Sequence, residues 1–207
     1  MSRYQTDQEA FWAGGFGDEY LLRNQGEKVV ASNLHLFARV LSATSGVASI
    51  MELGANVGLN LKALARLLPG VQMEAVEINE KAAASLEQWG GARVHRCSIL
   101  EFQPEIQSDL VFTKGVLIHI DPEKIPVAYD LLHRASRRYI CVIEYYNPSP
   151  VAVSYRGHND RLFKRDFAGD LLDRFENLRL VDYGFVYRRD RNFPQDDVTW
   201  FLLEKMG

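Results

Sequence analysis

Ser49-Ile50-Met51-Glu52-Leu53-Gly54-Ala55-Asn56-Val57-Gly58-Leu59-Asn60 reads as a buried strand that ends in a carboxylate, breaks at glycine and turns into a helix. The first turn after such a strand passes close to any ligand held at the strand end, and a Cβ there blocks the approach. Gly54 and Gly58 remove that obstacle. Asn56 stands between them, and Asn tolerates a left-handed backbone better than most residues. The turn is expected to bring backbone N–H groups and an acidic side chain against one small polar ligand.

A second carboxylate, Glu77, closes the apolar run at Val76-Glu77-Ile78-Asn79. It follows Gly58 by about twenty residues, the separation at which a carboxylate accepts ribose hydroxyls in a doubly wound fold. Such charge-assisted hydrogen bonds are worth ~1.5–3 kcal/mol each. The two carboxylates together imply a nucleoside-containing cofactor. A pyrophosphate needs closest backbone approach at the middle of the loop, where Asn56 carries a side chain, and it fits poorly beside Glu52. S-adenosylmethionine has no phosphate, and its amino group suits Glu52. The residues therefore favour S-adenosylmethionine over NAD, with Glu52, Gly54, Asn56, Gly58, Asn60, Glu77 and Ile78 as cofactor contacts. After the next strand, Ser98 is expected at the adenine edge and Ile99 over its face.

The pattern around the loop alternates. Strands are expected at 47–53, 73–78, 92–97, 110–113 and 139–145, and helices at 59–68, 80–89 and 122–136, the last with Pro122 in its first turn. Alternation of this kind implies an α/β fold with a mostly parallel sheet and helices on both faces. Residues 178–188 and 198–204 are both strand-like with no helix between them, so they should pair as an antiparallel hairpin. A Rossmann-like sheet with an antiparallel last strand is the layout of class I methyltransferases. Residues 8–44 look helical, so the chain reads as one domain, a cap over 1–45 and a core over 46–207.

The 207 residues carry a net charge of −3, which gives no support for a nucleic-acid or anionic-membrane partner. The start of the chain lacks the apolar core of a signal peptide, and no apolar stretch approaches the ~18 residues of a membrane span. Cys97 and Cys141 read as buried thiols of a cytoplasmic protein. No metal is expected, since the five histidines show no ligand spacing.

Thr113-Lys114-Gly115-Val116-Leu117-Ile118-His119-Ile120 follows the fourth strand, at the sheet edge where ligands bind. Gly115 permits close approach of the sulfur end, and Lys114 and His119 are polar groups at a pocket mouth. Glu144, Tyr145, Tyr146 and Asn147 end the fifth strand with a carboxylate and two aromatics, suited to an amine-bearing group. His119, Glu144 and Tyr146 are the candidate bases, in that order. Tyr145, Asn147, Tyr155 and Arg156 are candidate acceptor contacts. The guanidinium of Arg156 suits a carboxylate or phosphate. The aromatic and glycine-rich run at 11–24 suits a lid. Within it Tyr20 and Arg23 share one helix face, and Arg23 is placed to meet the methionine carboxylate.

These blocks, FWAGGFGDEYLLRN, ELGANVGLNLKAL, TKGVLIHI, EYYNPSP, YRG, LFKRDFAGD and DYGFVYRRD with FPQDDVTWFLLEK, run almost end to end. In them the chain resembles the pseudaminic acid biosynthesis-associated methylases, a family of class I S-adenosylmethionine-dependent methyltransferases. It departs from the general methyltransferase loop at Asn56, where that pattern has glycine. The resemblance implies methyl transfer to a small molecule, an acidic amino sugar of the nonulosonic type or its precursor. Methylation of a protein side chain such as flagellin, and a non-catalytic module that binds the same cofactor, are the alternatives.

Overall fold

The computed structural model describes residues 4–21, 26–157 and 160–206. Seven strands form the main sheet: β1 Ser49–Leu53, β2 Gln72–Val76, β3 Arg93–His95, β4 Ser108–Lys114, β5 Ser136–Glu144, β8 Leu178–Val186 and β9 Val198–Lys205. Two-residue strands β6 Val151–Ala152 and β7 Phe163–Lys164 make a separate small hairpin. The helices are α1 Asp7–Ala13, α2 Gly15–Leu21, α3 Glu27–Ser42, α4 Leu59–Leu67, α5 Glu80–Trp89, α6 Ile125–Ala135 and α7 Phe167–Arg174.

The strand order is β3-β2-β1-β4-β5-β9-β8. Every pair from β3 to β5 is parallel, whereas β9 runs antiparallel to both β5 and β8. The expected finish of the sheet is thus present. No helix separates β8 from β9, and a direct connection can only reverse the chain. The order turns back on itself between β1 and β4, which makes the crevice above their carboxyl ends the natural ligand site.

Period-two alternation sends neighbouring side chains of each strand to opposite faces. Ile50 and Met51 lie in different apolar clusters, one on each side of the sheet. On one side Leu36, Phe37 and Val40 of α3 pack with Leu61 and Leu64 of α4 and with Leu86 of α5. On the other, Ile125, Leu131 and Leu132 of α6 pack with Phe167 and Leu171 of α7. α3 falls in the stretch expected to cap the core, yet its apolar face is part of the core layer. α1 and α2 are the segments that lie over the carboxyl edge.

One helix start differs from expectation. α6 begins at Ile125, and Pro126, not Pro122, occupies its first turn. Pro122 lies in a turn that the Asp121 carboxylate closes by accepting the Glu123 N–H at 2.9 Å. An Asp side chain that bonds its own backbone two residues on favours such a turn over helix.

Gly58 is the N-cap of α4 with φ +76°, and a Cβ there would stand 2.2 Å from Leu86 Cδ1. Its freedom from a side chain serves helix-to-helix packing. Gly58→Ala is expected to cost about 1–3 kcal/mol in strain and overlap. At ~2–4 °C per kcal/mol the thermal midpoint should fall by several degrees. An unchanged melting curve would show that α4 and α5 accommodate the methyl group.

Candidate active site

A cavity of about 510 Å³ opens above the carboxyl ends of β1, β2 and β4. Its size falls within the ~300–1,000 Å³ of small-molecule sites. Of the residues expected from sequence, Tyr20, Gly54, Asn56, Asn60, Glu77, Ile78, Ser98, Ile99, Lys114, Gly115 and His119 line it.

The turn after β1 and the carboxylate after β2 are bonded to each other. Asn56 has φ +50°, and its backbone N–H donates to Glu77 Oε2 at 2.7 Å. Glu77 Oε1 accepts from the Asn79 N–H at 2.7 Å. Burial raises the Glu77 carboxyl above the usual range, opposed by these N–H groups. Each carboxylate oxygen has two acceptor sites, so a face remains for ligand hydroxyls. Gly54 has φ +78°, and a Cβ there would meet the Val116 side chain at 2.6 Å. Ser98 bonds the Leu100 N–H at 3.0 Å and lies beside Ile99.

Glu52 lies below the loop instead of in the cavity wall, only 1% exposed. Its Oε1 accepts from Asn60 Nδ2 at 2.6 Å, while its Oε2 and Asn60 Oδ1 are buried without partners. Burial pushes the Glu52 carboxyl up to about 8, against the pull of Asn60 and Lys114. Lys114 enters the cavity from the end of β4, and its Nζ donates to Asn33 Oδ1 at 3.1 Å. Burial lowers its pKa, opposed by the carboxylates of Glu52, Asp196 and Glu144.

His119 ends a 3-10 turn, Leu117–His119, that follows β4. Its Nδ1 lies 2.6 Å from the Arg161 carbonyl oxygen. A carbonyl only accepts, so Nδ1 carries the proton and Nε2 keeps the lone pair. Burial holds the imidazole down to about 4, against that hydrogen bond. The ring packs on Trp12 at 4.6 Å and Tyr155 at 5.1 Å between centroids. It is therefore neutral at physiological pH, the form that accepts a proton.

The rest of the expected acceptor wall is placed elsewhere. Glu144 is 2% exposed, and its carboxylate accepts backbone N–H groups of the turn that carries His119. Tyr146 points the other way, 43% exposed and 5.9 Å from the Phe201 ring. Asn147 closes its own turn by donating to the Ser149 carbonyl at 2.6 Å. Tyr145 stands behind the cavity, where burial and nearby Asp196 raise its pKa. Tyr155 backs the His119 ring, and Arg156 is exposed with its guanidinium over Tyr155 at 5.6 Å. Gly58 faces Leu86, as above. Arg23 lies outside the described residues.

Several lining residues were not singled out by sequence. Asn33 lies on the apolar face of α3 with Leu36, Phe37 and Val40, and a polar residue in that stripe is the signal that points to it. Arg188, Gln195 and Asp196 come from the β8–β9 connection and Glu9 from α1, while Trp12 belongs to the run at 11–24 read as a lid. Gln195 Nε2 donates to the Ser32 carbonyl at 2.8 Å, which ties that connection to α3. Among the described residues no group of three or more His, Cys, Asp or Glu side chains is arranged to hold a metal, and no helix is long and apolar enough to cross a membrane.

Solved structures similar to this chain include several methyltransferases. The Burkholderia thailandensis 1,6-didemethyltoxoflavin-N1-methyltransferase, with its acceptor and S-adenosylhomocysteine bound, is 16% identical with a TM-score of 0.71. That match covers 96% of this chain and 87% of the other. This is the class I methyltransferase fold. The magnesium protoporphyrin IX methyltransferase of Synechocystis PCC 6803, with S-adenosylhomocysteine bound, is 13% identical over 96% of this chain and 98% of its own, with a TM-score of 0.67. An S-adenosylmethionine-dependent methyltransferase from Clostridium acetobutylicum ATCC 824 is 11% identical over 93% and 98%, with a TM-score of 0.64. The sequence matches no protein-family model and no curated protein.

The buried acid beneath the loop makes a pH prediction. Glu52 has an ordinary value of 4.5, which the unfolded chain keeps, and a folded value of about 8. Its contribution to stability is present below the unfolded value and is lost as pH rises to about 8. Glu52→Gln keeps a carbonyl oxygen for Asn60 and has no proton to lose. Urea midpoints of this variant should fall less than those of the wild type between about pH 5 and 8. Parallel midpoint curves would show that Glu52 ionises without cost in the folded chain.

Proposed function

We propose that this chain is an S-adenosylmethionine-dependent methyltransferase with a small-molecule acceptor. One observation carries the reading: Glu77, the Gly54–Asn56 turn, Lys114 and the neutral His119 converge on a single cavity at the switch point of a class I methyltransferase sheet. The residues suit the cofactor. Glu77 is placed for ribose hydroxyls, Ile78 and Ile99 offer apolar faces to a purine, and Ser98 lies at its edge. The side chain of Asn56 in the middle of the loop disfavours a pyrophosphate, and so NAD. S-adenosylmethionine, when bound, supplies an electrophilic methyl group.

The chain's own residues then do the rest. The cavity walls align acceptor and cofactor, and alignment alone can supply up to ~7–11 kcal/mol of the barrier. For a hydroxyl or protonated-nitrogen acceptor, His119 Nε2 takes the proton. Its Nδ1–H stays bonded to the Arg161 carbonyl, which fixes the tautomer. The finer reading of the acceptor is an acidic amino sugar of the nonulosonic type or its precursor. It draws on the sequence resemblance and on the cations Lys114 and Arg188 at the cavity. Two free thiols, Cys97 and Cys141, accord with a place in the cytoplasm.

Calorimetry with S-adenosylhomocysteine tests the cofactor. The wild type should bind it, and Glu77→Ala should bind about 100-fold more weakly, the equivalent of two lost charge-assisted hydrogen bonds. Equal affinity in the two proteins would sink the ribose assignment. Methyl transfer to candidate sugars, read as a mass increase, tests the acceptor. With a hydroxyl acceptor, His119→Asn should lower kcat by about 10²–10⁴ with the cofactor affinity kept. An unchanged kcat would remove His119 from the chemistry.

A further inference from the structure

We propose that Glu144 is a positioning residue: its carboxylate fixes the turn Leu117–His119 and so aims His119 into the cavity. Sequence order places Glu144 among the candidate bases, but its hydrogen bonds give it another task. Val116 and Leu117 each donate a backbone N–H to Glu144 Oε1 at 3.0 Å, and the Ile118 N–H reaches Oε2 at 3.5 Å. These three amides lead directly into His119. On the other side of the turn the ring is held by the Arg161 carbonyl. The imidazole is thus held from two sides, by a carboxylate from β5 acting on the backbone of the turn before it and by a carbonyl acting on its Nδ1.

Nothing simpler can replace the carboxylate. It offers two oxygens to three N–H groups at a largely buried turn, and an unmade buried hydrogen bond is costly. A glutamine keeps one acceptor oxygen and turns a donor toward the remaining amides. Among the described residues, Lys114 is a neighbouring ionisable side chain, acted on by Glu52, Asp196 and Glu144. Burial raises the Glu144 carboxyl to about 7, against the N–H groups of Val116, Leu117 and Ile118. Above that pH the carboxylate grips the turn. Below it, one oxygen becomes a donor and the grip loosens.

This inference rests on the reading of the cavity as a methyl-transfer site, and calorimetry with S-adenosylhomocysteine checks that reading separately. The positioning itself is tested without an acceptor by diethyl pyrocarbonate, which acylates neutral imidazole nitrogen. Peptide mass spectrometry gives the rate at His119 alone, with His35 and His95 as references in the same sample. His119 is itself neutral above about pH 4, so its own titration leaves the rate flat from about pH 5.5 upward. In the wild type the His119 rate should fall about threefold or more as pH rises through about 7. In Glu144→Gln it should be high and without a step. A flat wild-type rate, or the same step in the variant, overturns the proposal. If the variant does not fold, the wild-type series decides alone. A protein that shows the step but binds no S-adenosylhomocysteine retains a positioned His119 and loses the methyl-transfer reading.

Discussion

Carboxylates that accept backbone N–H groups hold the ligand edge of this sheet in shape. Loops that leave the carboxyl ends of parallel strands carry N–H groups with no strand partner. Glu77, next to the end of β2, accepts from Asn56 in the loop after β1. Glu144, the last residue of β5, accepts from Val116 and Leu117 in the loop after β4. Each carboxylate crosses from one strand to the loop of another. Both are buried, and burial raises both carboxyls while the N–H groups pull them down. The shape of the cavity is the outcome of that balance, because Asn56, Glu77 and Val116 are also its walls.

The mouth of the cavity is set by contacts between distant parts of the chain. Asn79 caps α5 by accepting from the Lys81 and Ala82 N–H groups at 3.1 and 3.0 Å. Its amide also donates to Asp18 at 3.0 Å and to the Trp12 carbonyl at 3.3 Å. One side chain therefore ends a helix of the core and anchors α1 and α2 above it. Gly17 allows this approach, since a Cβ there would stand 1.9 Å from the Trp12 carbonyl oxygen. Opposite, His35 of α3 stacks on Phe193 at 4.6 Å, and Gln195 bonds to Ser32. The β8–β9 connection is thereby drawn over α3 toward Lys114.

These contacts also explain what the sequence could disclose. The order and direction of the strands follow from alternation and from the missing helix between β8 and β9, both local signals. The cavity wall made by Gly54, Asn56 and Glu77 was legible because these residues sit at the first turns after two strands, although Glu52 and Gly58 beside them serve the packing beneath. The acceptor side was not. Glu144 ends β5 much as Glu52 nearly ends β1, but whether a side chain there meets the ligand or the next loop depends on sheet order. Tyr146, past the end of β5, is exposed beside the Phe201 ring and takes no part in the cavity wall. Gly58 carried a true signal, a left-handed N-cap, with the wrong neighbour assigned to it. Asn33 and Asp196 reach the cavity only through tertiary packing, which no spacing within the chain encodes.

Burial acts on the acids and on the imidazole in opposite directions on the pKa scale and toward the same end, the neutral form. Near neutral pH this leaves His119 uncharged, Glu52 largely protonated and Glu144 between its two states. Burial likewise lowers the pKa of Lys114, and the acids Glu52, Asp196 and Glu144 around it oppose that shift. A site of this kind asks little of a charged base. The imidazole already has its lone pair on Nε2, and its proton on Nδ1 already has a carbonyl partner, so no rearrangement precedes proton transfer. The limiting requirement becomes geometric. For the proposed methyl transfer to a protonated acceptor, Nε2 must stay where the acceptor's proton will be, and the groups that hold the turn and the ring in place are Glu144 and the Arg161 carbonyl.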